Sequence, residues 1–231
     1  MEKGKIIVIE GACDGIGKST QFEMLQKEYN ENYVTHHFPT YNTYHGHGVE
    51  EYMAGNFGEI KDLSPYFIHN LYAHDRAITW YKELKPEYDK GNIVLLDRYT
   101  SSSEIYQCCL IESEEDRKKF IDFVEDNEYN KIGIGKPDSV IFLTAPFDLV
   151  TKLRDERNKN GQNAFGEKAD IHERDINHLR KVYENALFVA KYLNWNIIEC
   201  NEGDRFKTPE EIHGEIMDTL KRKNLTLQIN K

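Results

Sequence analysis

Five short apolar runs, rich in β-branched residues, recur along the chain at residues 6–9, 33–38, 93–96, 139–143 and 195–200. The longer stretches between these runs repeat apolar residues at helical spacing. This alternation predicts a central five-stranded parallel sheet with helices on both faces, a three-layer α/β/α fold. Ligands of such sheets bind beyond the carboxyl ends of the strands, so the residues that follow each strand are where chemistry is expected.

Two helix starts are marked by capping boxes. Thr208-Pro209-Glu210-Glu211 combines an N-cap, a proline at the first helical position and a glutamate at N3, and it predicts a helix from this point. Residues 170–173 predict a second capped helix, and residues 65–84 have helical spacing throughout. These signals complete the α/β pattern.

The first apolar run leads into the glycine-rich turn GACDGIGKST, residues 11–20. The pattern G-x-x-x-x-G-K-[ST] is typical of a phosphate-binding loop, but here Ala12 stands where the first glycine is usual, so one extra residue separates Gly11 from Lys18. The loop still works if that residue is absorbed at its start. Backbone N–H groups and the N-terminus of the following helix would then surround a triphosphate.

A nucleoside triphosphate and Mg²⁺ are therefore expected ligands. Lys18 would reach the β- and γ-phosphates, and the Ser19 hydroxyl would take one Mg²⁺ position. The expected triphosphate-binding residues are Asp14, Gly15, Ile16, Gly17, Lys18, Ser19 and Thr20.

Composition narrows the class of protein. The 231 residues include 30 basic and 40 acidic side chains, a net charge of −10 that argues against a nucleic-acid or anionic-membrane binder. The length suits one domain, 1–231, and no apolar run approaches the ~18 residues of a membrane span. Since Met1-Glu2-Lys3 leads directly into the first strand, a cytoplasmic location is expected.

The four cysteines form no C-x-x-C pair and are expected to be reduced thiols. Cys13 lies beside a predicted helix N-terminus, where a thiol pKa can be lowered. A small loop residue without chemistry is the preferred interpretation of Cys13.

Two further groups of residues suggest ligand contacts. Asp97 and Arg98 follow the buried run 93–96. At this position a carboxylate can bind Mg²⁺ or its waters, and a guanidinium can bind a second phosphate. A structural ion pair is the alternative. Tyr72 and Arg76 share one helix face and can both contact a planar ligand. The alternative is that they are a core tyrosine and a surface arginine, which the same sequence would also encode.

The polar segment 158–169 contains two glycines and follows Arg154 and Arg157. It is either a plain surface connection or a mobile lid, about 154–170, that closes arginines over a transferring phosphate. Both interpretations stay open on these residues alone.

Taken in order, these pieces resemble the thymidylate kinase (dTMP kinase) family over nearly the whole chain, from residue 5 to about 221. The matching segments are 10–11, 14–21, 38–41, 72–76, 97–99, 102–107, 136–143, Arg154, Arg157 and 170–173. The resemblance implies transfer of the γ-phosphoryl group of ATP to dTMP with Mg²⁺, giving dTDP and ADP, and a homodimer.

The resemblance also implies individual roles. Asp14 would take the 3′-hydroxyl of the dTMP sugar, and Arg98 would hold its phosphate. Tyr72 would stack on thymine, while Arg76 and Ser102 would contact the base and Tyr106 would crowd the sugar 2′ position. The implied acceptor-binding residues are Asp14, Phe38, Pro39, Tyr72, Arg76, Arg98, Ser102 and Tyr106, and the implied catalytic residues are Lys18, Asp97, Arg98, Arg154 and Arg157.

Three departures from the family pattern bear on function. Some relatives place an arginine directly after the loop aspartate, where this chain has Gly15. The resemblance therefore implies that Arg154 or Arg157 would contact the transferring phosphoryl group instead. Tyr41 stands where many relatives carry an arginine in F-P-x-R. The extra loop residue falls on the acceptor side and is expected to affect dTMP recognition before ATP binding.

Two alternatives to the dTMP kinase interpretation remain. A kinase for another nucleotide fits the same motifs, and a deoxynucleoside kinase would need a base for a neutral hydroxyl, for which Glu10 is the placed candidate. A nucleotide-binding module without turnover is the alternative from another class.

Overall fold

A computed structural model of the protein describes residues 3–13, 15–29, 32–152 and 176–226. The strands of its main sheet are β1 (Lys5–Gly11), β2 (Tyr33–His37), β3 (Ile93–Asp97), β4 (Ser139–Thr144) and β5 (Asn196–Glu199). They lie side by side in the order β2-β3-β1-β4-β5, and every pairing is parallel. The predicted five-stranded parallel sheet is confirmed.

Helices connect these strands. Among the α-helices of the described residues are α1 (Lys18–Tyr29), α2 (His47–Met53), α3 (Pro65–Thr79), α4 (Lys85–Asp89), α5 (Thr100–Tyr106), α6 (Glu114–Glu125), α7 (Ile176–Tyr192) and α8 (Pro209–Arg222). None of them combines the length and the apolar composition that crossing a membrane requires.

The helix predicted over residues 65–84 is present, but its last part, Trp80–Leu84, is π-helical. Pro86 lies two residues after Leu84, and a proline ring crowds the carbonyl four residues before it, which a wider turn relieves. A second π-helical segment, Asp126–Ile132, continues α6. A small antiparallel hairpin of β6 (Asn201–Glu202) and β7 (Arg205–Phe206) was not predicted.

The main sheet is buried on both faces. Successive side chains of a strand point to opposite faces, so Ile7 joins one buried cluster with Leu25 of α1, and Ile6 joins another with Leu84. All four side chains have no solvent exposure. This explains why β1 is apolar at nearly every position.

The capping box at the start of α8 is confirmed. The Thr208 hydroxyl accepts from the Glu211 N–H at 3.2 Å, and the Glu211 carboxylate accepts from the Thr208 N–H at 2.7 Å. The other predicted capping box, at residues 170–173, lies outside the described residues.

Candidate active site

The phosphate loop begins where β1 ends. Gly17 has φ +101°, a conformation that glycine adopts at little cost, and α1 begins at the next residue, Lys18. A Cβ added to Gly11 would lie 2.6 Å from Ile16 Cγ2, because the loop folds back over the strand end. Lys18 is buried under this turn, while Ser19 and Thr20 are exposed on the first turn of α1.

The segment with the extra residue packs into the core. Ala12 donates its N–H to the Leu143 carbonyl at 2.9 Å, and both Ala12 and Cys13 are buried. The extra length is thus accommodated at the start of the loop, before Gly15, as the loop pattern requires. Asp14, the expected contact to the acceptor sugar, lies outside the described residues.

Asp97 is the last residue of β3 and is 6% exposed. Its Oδ2 lies 2.9 Å from His37 Nδ1. Burial alone would raise the pKa of Asp97, but the His37 hydrogen bond and the charges of Lys18 and Arg98 outweigh it, so the pKa lies below its usual value. Asp97 is therefore a carboxylate that contacts His37 and interacts with the charges of Lys18 and Arg98.

Arg98 has a left-handed backbone, with φ +66°, which is uncommon for a residue other than glycine. Its Nη1 donates to the Tyr106 hydroxyl at 3.1 Å and lies 3.8 Å from Glu10 Oε1. The guanidinium also lies over the Tyr106 ring, 5.3 Å from its centre. Two residues that the sequence assigned to the acceptor site, Arg98 and Tyr106, are thus in contact.

Glu10 ties β1 to the start of α5. The side chain has no solvent exposure, and its Oε1 accepts the Gly11 N–H at 3.0 Å. Its Oε2 accepts hydroxyl hydrogen bonds from Ser101 at 3.0 Å and Ser102 at 2.6 Å. These contacts fix the start of α5 to the end of β1, beside Arg98. The contact of Ser102 with the thymine base stays a prediction.

Tyr72 and Arg76 lie four residues apart on α3. Tyr72 is half-buried, and its hydroxyl lies 3.6 Å from Met53 Sδ. Arg76 is buried and donates to Glu128 twice, from Nε at 2.7 Å and from Nη2 at 2.6 Å. Its Nη2 also donates to Ser103 Oγ at 2.9 Å. The contacts of Tyr72 and Arg76 with the thymine base stay predictions. The ion pair of Arg76 with Glu128 was not predicted from the sequence.

The loop after β2 is attached to both β3 and α3. Phe38 is buried and donates its N–H to the Asp97 carbonyl at 3.1 Å; a cis peptide joins it to Pro39. Thr40 donates its N–H to Asp75 Oδ2 at 2.8 Å, and Asp75 Oδ1 lies 2.9 Å from Nδ1 of the buried His45. The Phe38-Pro39 turn therefore lies beside Asp97.

A polar cavity of about 130 Å³ lies away from this edge, between α5 and the beginnings of β4 and β5. Glu104 and Glu125 contribute to its lining. Burial raises the pKa of Glu104 well above its usual value, and the negative charges of Glu125 and Glu128 raise it further. Cys108, Cys109 and Cys200 have pKa values raised to about 12 by burial, as expected for unreactive reduced thiols.

Arg154, Arg157 and the predicted lid, about 154–170, lie outside the described residues, so the lid and its arginines stay predictions. Within the described residues, no three His, Cys, Asp or Glu side chains come together as a metal site of their own. Oxygen ligands for a metal that arrives with a nucleotide are nevertheless present. In the part of the chain that the structure describes, Asp97 Oδ1 is buried without a hydrogen-bond partner, and Ser19 is exposed on the first turn of α1.

The sequence did not predict several contacts in this region, among them His37 with Asp97, His45 with Asp75, and Glu128 with Arg76. A sequence signal existed only for His37, which lies next to the end of the predicted run 33–38 and precedes Phe38-Pro39. Parallel strands bring their carboxyl ends to one edge, so His37 and Asp97 could have been placed together.

Comparison with known proteins gives one consistent result. A sequence profile described as thymidylate kinase matches residues 9–212. A probable thymidylate kinase of Pyrobaculum aerophilum is 28% identical over 224 residues, which cover 94% of this chain and 96% of the relative. A thymidylate kinase of Campylobacter hominis is 29% identical, with 94% of this chain and 100% of the relative covered.

The fold resembles solved structures of the same kind. A thymidylate kinase from Candida albicans, described as having broad substrate specificity, has a TM-score of 0.71 and 20% identity, with 96% and 93% of the two chains covered. A thymidylate kinase from Ehrlichia chaffeensis has a TM-score of 0.61 and 18% identity, with 94% and 99% covered. Both similarities concern the α/β fold with its parallel sheet.

Proposed function

The chain belongs to the thymidylate kinase family, and we propose that it transfers the γ-phosphoryl group of ATP to dTMP, giving dTDP and ADP. One observation carries the proposal. Lys18, Asp97 and Arg98 interact at the carboxyl edge of the sheet, where the His37 hydrogen bond and the charges of Lys18 and Arg98 lower the pKa of Asp97. A phosphate loop with a second phosphate-binding arginine suits transfer between two phosphates.

On the donor side, the loop from Asp14 to Thr20 binds the ATP phosphates. The backbone N–H groups at the start of α1 face the loop, and the positive end of the helix dipole favours an anion there. Lys18 neutralises charge on the β- and γ-phosphates, and Ser19 presents an exposed hydroxyl.

Mg²⁺ is the proposed metal, and the residues present fit it. Magnesium prefers oxygen ligands and is usually held by one or two carboxylates together with substrate phosphates. Asp97 Oδ1, buried without a hydrogen-bond partner in the described part of the protein, and the Ser19 hydroxyl would supply the protein oxygens. The metal supplies neutralisation of phosphate charge when bound.

On the acceptor side, Arg98 holds the dTMP phosphate and Tyr106 packs beside it against the sugar. Tyr72 stacks on thymine, and Phe38 and Pro39 form the neighbouring wall. The remaining proposed acceptor contacts are Asp14 with the 3′-hydroxyl, and Arg76 and Ser102 with the base. The Arg98–Tyr106 hydrogen bond at 3.1 Å supports a shared role for that pair.

The transfer itself needs no side-chain base, because the attacking group is an anionic phosphate oxygen. Catalysis is then a matter of alignment and charge stabilisation by Lys18 and Arg98. Arg154 and Arg157 are proposed to add charge from a closing lid, and the whole chain is proposed to form one kinase domain that acts in the cytoplasm as a homodimer.

The two rival functions differ in what they need. A deoxynucleoside kinase needs a base, yet Glu10 already accepts hydrogen bonds from Gly11, Ser101 and Ser102. A binding module without turnover has no need for Lys18, Asp97 and Arg98 together.

An acceptor panel tests the proposal. ATP and Mg²⁺ are incubated with dTMP, dUMP, UMP, CMP or thymidine, and ADP release is followed. We expect the highest kcat/KM with dTMP. Preference for thymidine would favour the nucleoside kinase, and ADP release that no acceptor stimulates would favour the binding module.

A further inference from the structure

His37 is the last residue of β2 and pairs in register with Asp97, the last residue of β3. Phe38, the next residue, donates its N–H to the Asp97 carbonyl, so the backbone holds the two strand ends together. The His37 side chain is 54% exposed, whereas that of Asp97 is 9% exposed. The imidazole therefore lies over a nearly buried carboxylate at the open edge of the sheet.

The direction of the hydrogen bond between them follows from charge. An aspartate is ordinarily ionised at neutral pH, and an ionised carboxylate only accepts hydrogen bonds. His37 Nδ1 must then carry the proton and donate to Asp97 Oδ2 across the observed 2.9 Å. The tautomer of His37 is set by its partner.

The two oxygens of Asp97 have different surroundings. Oδ2 accepts from His37, while Oδ1 is buried and has no hydrogen-bond partner in the described part of the chain. A buried carboxylate oxygen without a partner is costly, and such an atom in a native structure calls for an explanation. A metal ion that enters with the nucleotide would provide the missing partner.

We propose that His37 is a positioning residue for phosphoryl transfer, which fixes the Asp97 carboxylate through Oδ2 and leaves Oδ1 as the oxygen for the nucleotide-bound metal. This inference rests on the proposed function. Partners that orient a metal-binding carboxylate contribute to metal affinity without touching the metal. Since His37 is half exposed, its contribution to core packing is small, and orientation of Asp97 is its main contribution.

Three substitutions separate orientation from bulk. His37→Leu removes the donor, His37→Asn places an amide N–H near the former Nδ1, and His37→Gln places one further out, near the former Nε2. His47→Leu is the matched control, because His47 is an exposed histidine on α2 whose side chain is 66% exposed.

The first measurement is Mn²⁺ affinity of the protein–ADP complex, by electron paramagnetic resonance titration. For His37→Leu we expect affinity to fall about 10–100-fold, the usual effect of losing such a partner. His37→Asn should restore the Mn²⁺ affinity. His37→Gln should bind Mn²⁺ as weakly as His37→Leu does, and His47→Leu should bind it as the wild type does. Steady-state assays should show the loss in kcat, with the KM for dTMP little changed.

The second measurement needs neither metal nor turnover. Long-range ¹H–¹⁵N spectra of the unsubstituted protein should show His37 protonated at Nδ1. An Nε2–H tautomer, or unchanged Mn²⁺ affinity in His37→Leu, overturns the inference. An equal loss of Mn²⁺ affinity in His37→Leu and His37→Asn also overturns the inference. If the wild type fails to phosphorylate dTMP but His37→Leu still weakens Mn²⁺ binding, the proposed acceptor is wrong and the positioning role of His37 stands.

Discussion

Replacement of Glu128 by leucine is expected to destabilise the protein strongly, because it leaves the Arg76 guanidinium buried without its counter-ion. Glu128 has no solvent exposure, and Arg76 is 1% exposed. Burial lowers the pKa of Arg76, but the charge and hydrogen bonds of Glu128 outweigh this, so the pKa is raised overall. The two short hydrogen bonds between the guanidinium and the carboxylate make this a buried ion pair.

The magnitude follows from the hydrogen bonds that the substitution removes. Glu128→Leu eliminates two short charge-assisted hydrogen bonds, at 2.7 and 2.6 Å, and leaves Arg76 with Ser103 at 2.9 Å and the Tyr99 carbonyl at 3.4 Å. A hydrogen bond to a charged group contributes about 1.5–3 kcal/mol, and breaking a buried ion pair costs about 3–5 kcal/mol. We therefore expect a decrease of about 3–5 kcal/mol in the free energy of unfolding.

Urea denaturation at one protein concentration measures this decrease, as a lower midpoint at unchanged slope. The double variant Arg76→Met/Glu128→Leu should regain most of the stability, since an apolar pair of similar volume replaces a buried ion pair at little net cost. Glu115→Gln, which breaks the exposed Lys119–Glu115 pair, is the control and should change nothing measurable. A small effect of Glu128→Leu, or a double variant no more stable than it, would refute the reasoning.

Further predictions concern the site and the cavity. Lys18→Ala should abolish phosphoryl transfer while urea denaturation shows an intact fold; normal turnover would contradict the phosphate-loop assignment. Tyr106→Ala should improve use of a ribonucleotide relative to dTMP, measured as the ratio of kcat/KM values. Because the folded-state pKa of Glu104 is raised, wild-type stability falls as pH rises above the carboxyl pKa of the unfolded chain, near 4.5. Glu104→Gln removes this pH dependence, so thermal denaturation should show a larger advantage for the variant at pH 8 than at pH 5.

Local patterns explain what the sequence predicted well. The three central strands, β1, β3 and β4, were found because a strand buried on both faces of a parallel sheet is a nearly continuous apolar run. The phosphate loop and the α8 capping box were found because their residues contact one another within a few positions of the chain. Lys18 and Thr208 carry such short-range signals.

The contacts that were missed join distant parts of the chain. Arg76 and Glu128 are separated by 52 positions, and His37 and Asp97 by 60. The helical pattern of residues 65–84 places Arg76 on a helix but does not say what the helix packs against. Glu128 lies in a π-helical segment without a motif, and only the folded sheet brings His37 to Asp97.

The left-handed backbone of Arg98 implies a conflict between folding and function at this position. A residue selected for stability alone would be glycine, or asparagine, which adopt φ +66° more readily than arginine does. Retaining arginine there costs roughly 1–2 kcal/mol of conformational energy. Replacing Arg98 would therefore make the enzyme more heat-resistant, but it would also remove the side chain proposed to bind the dTMP phosphate.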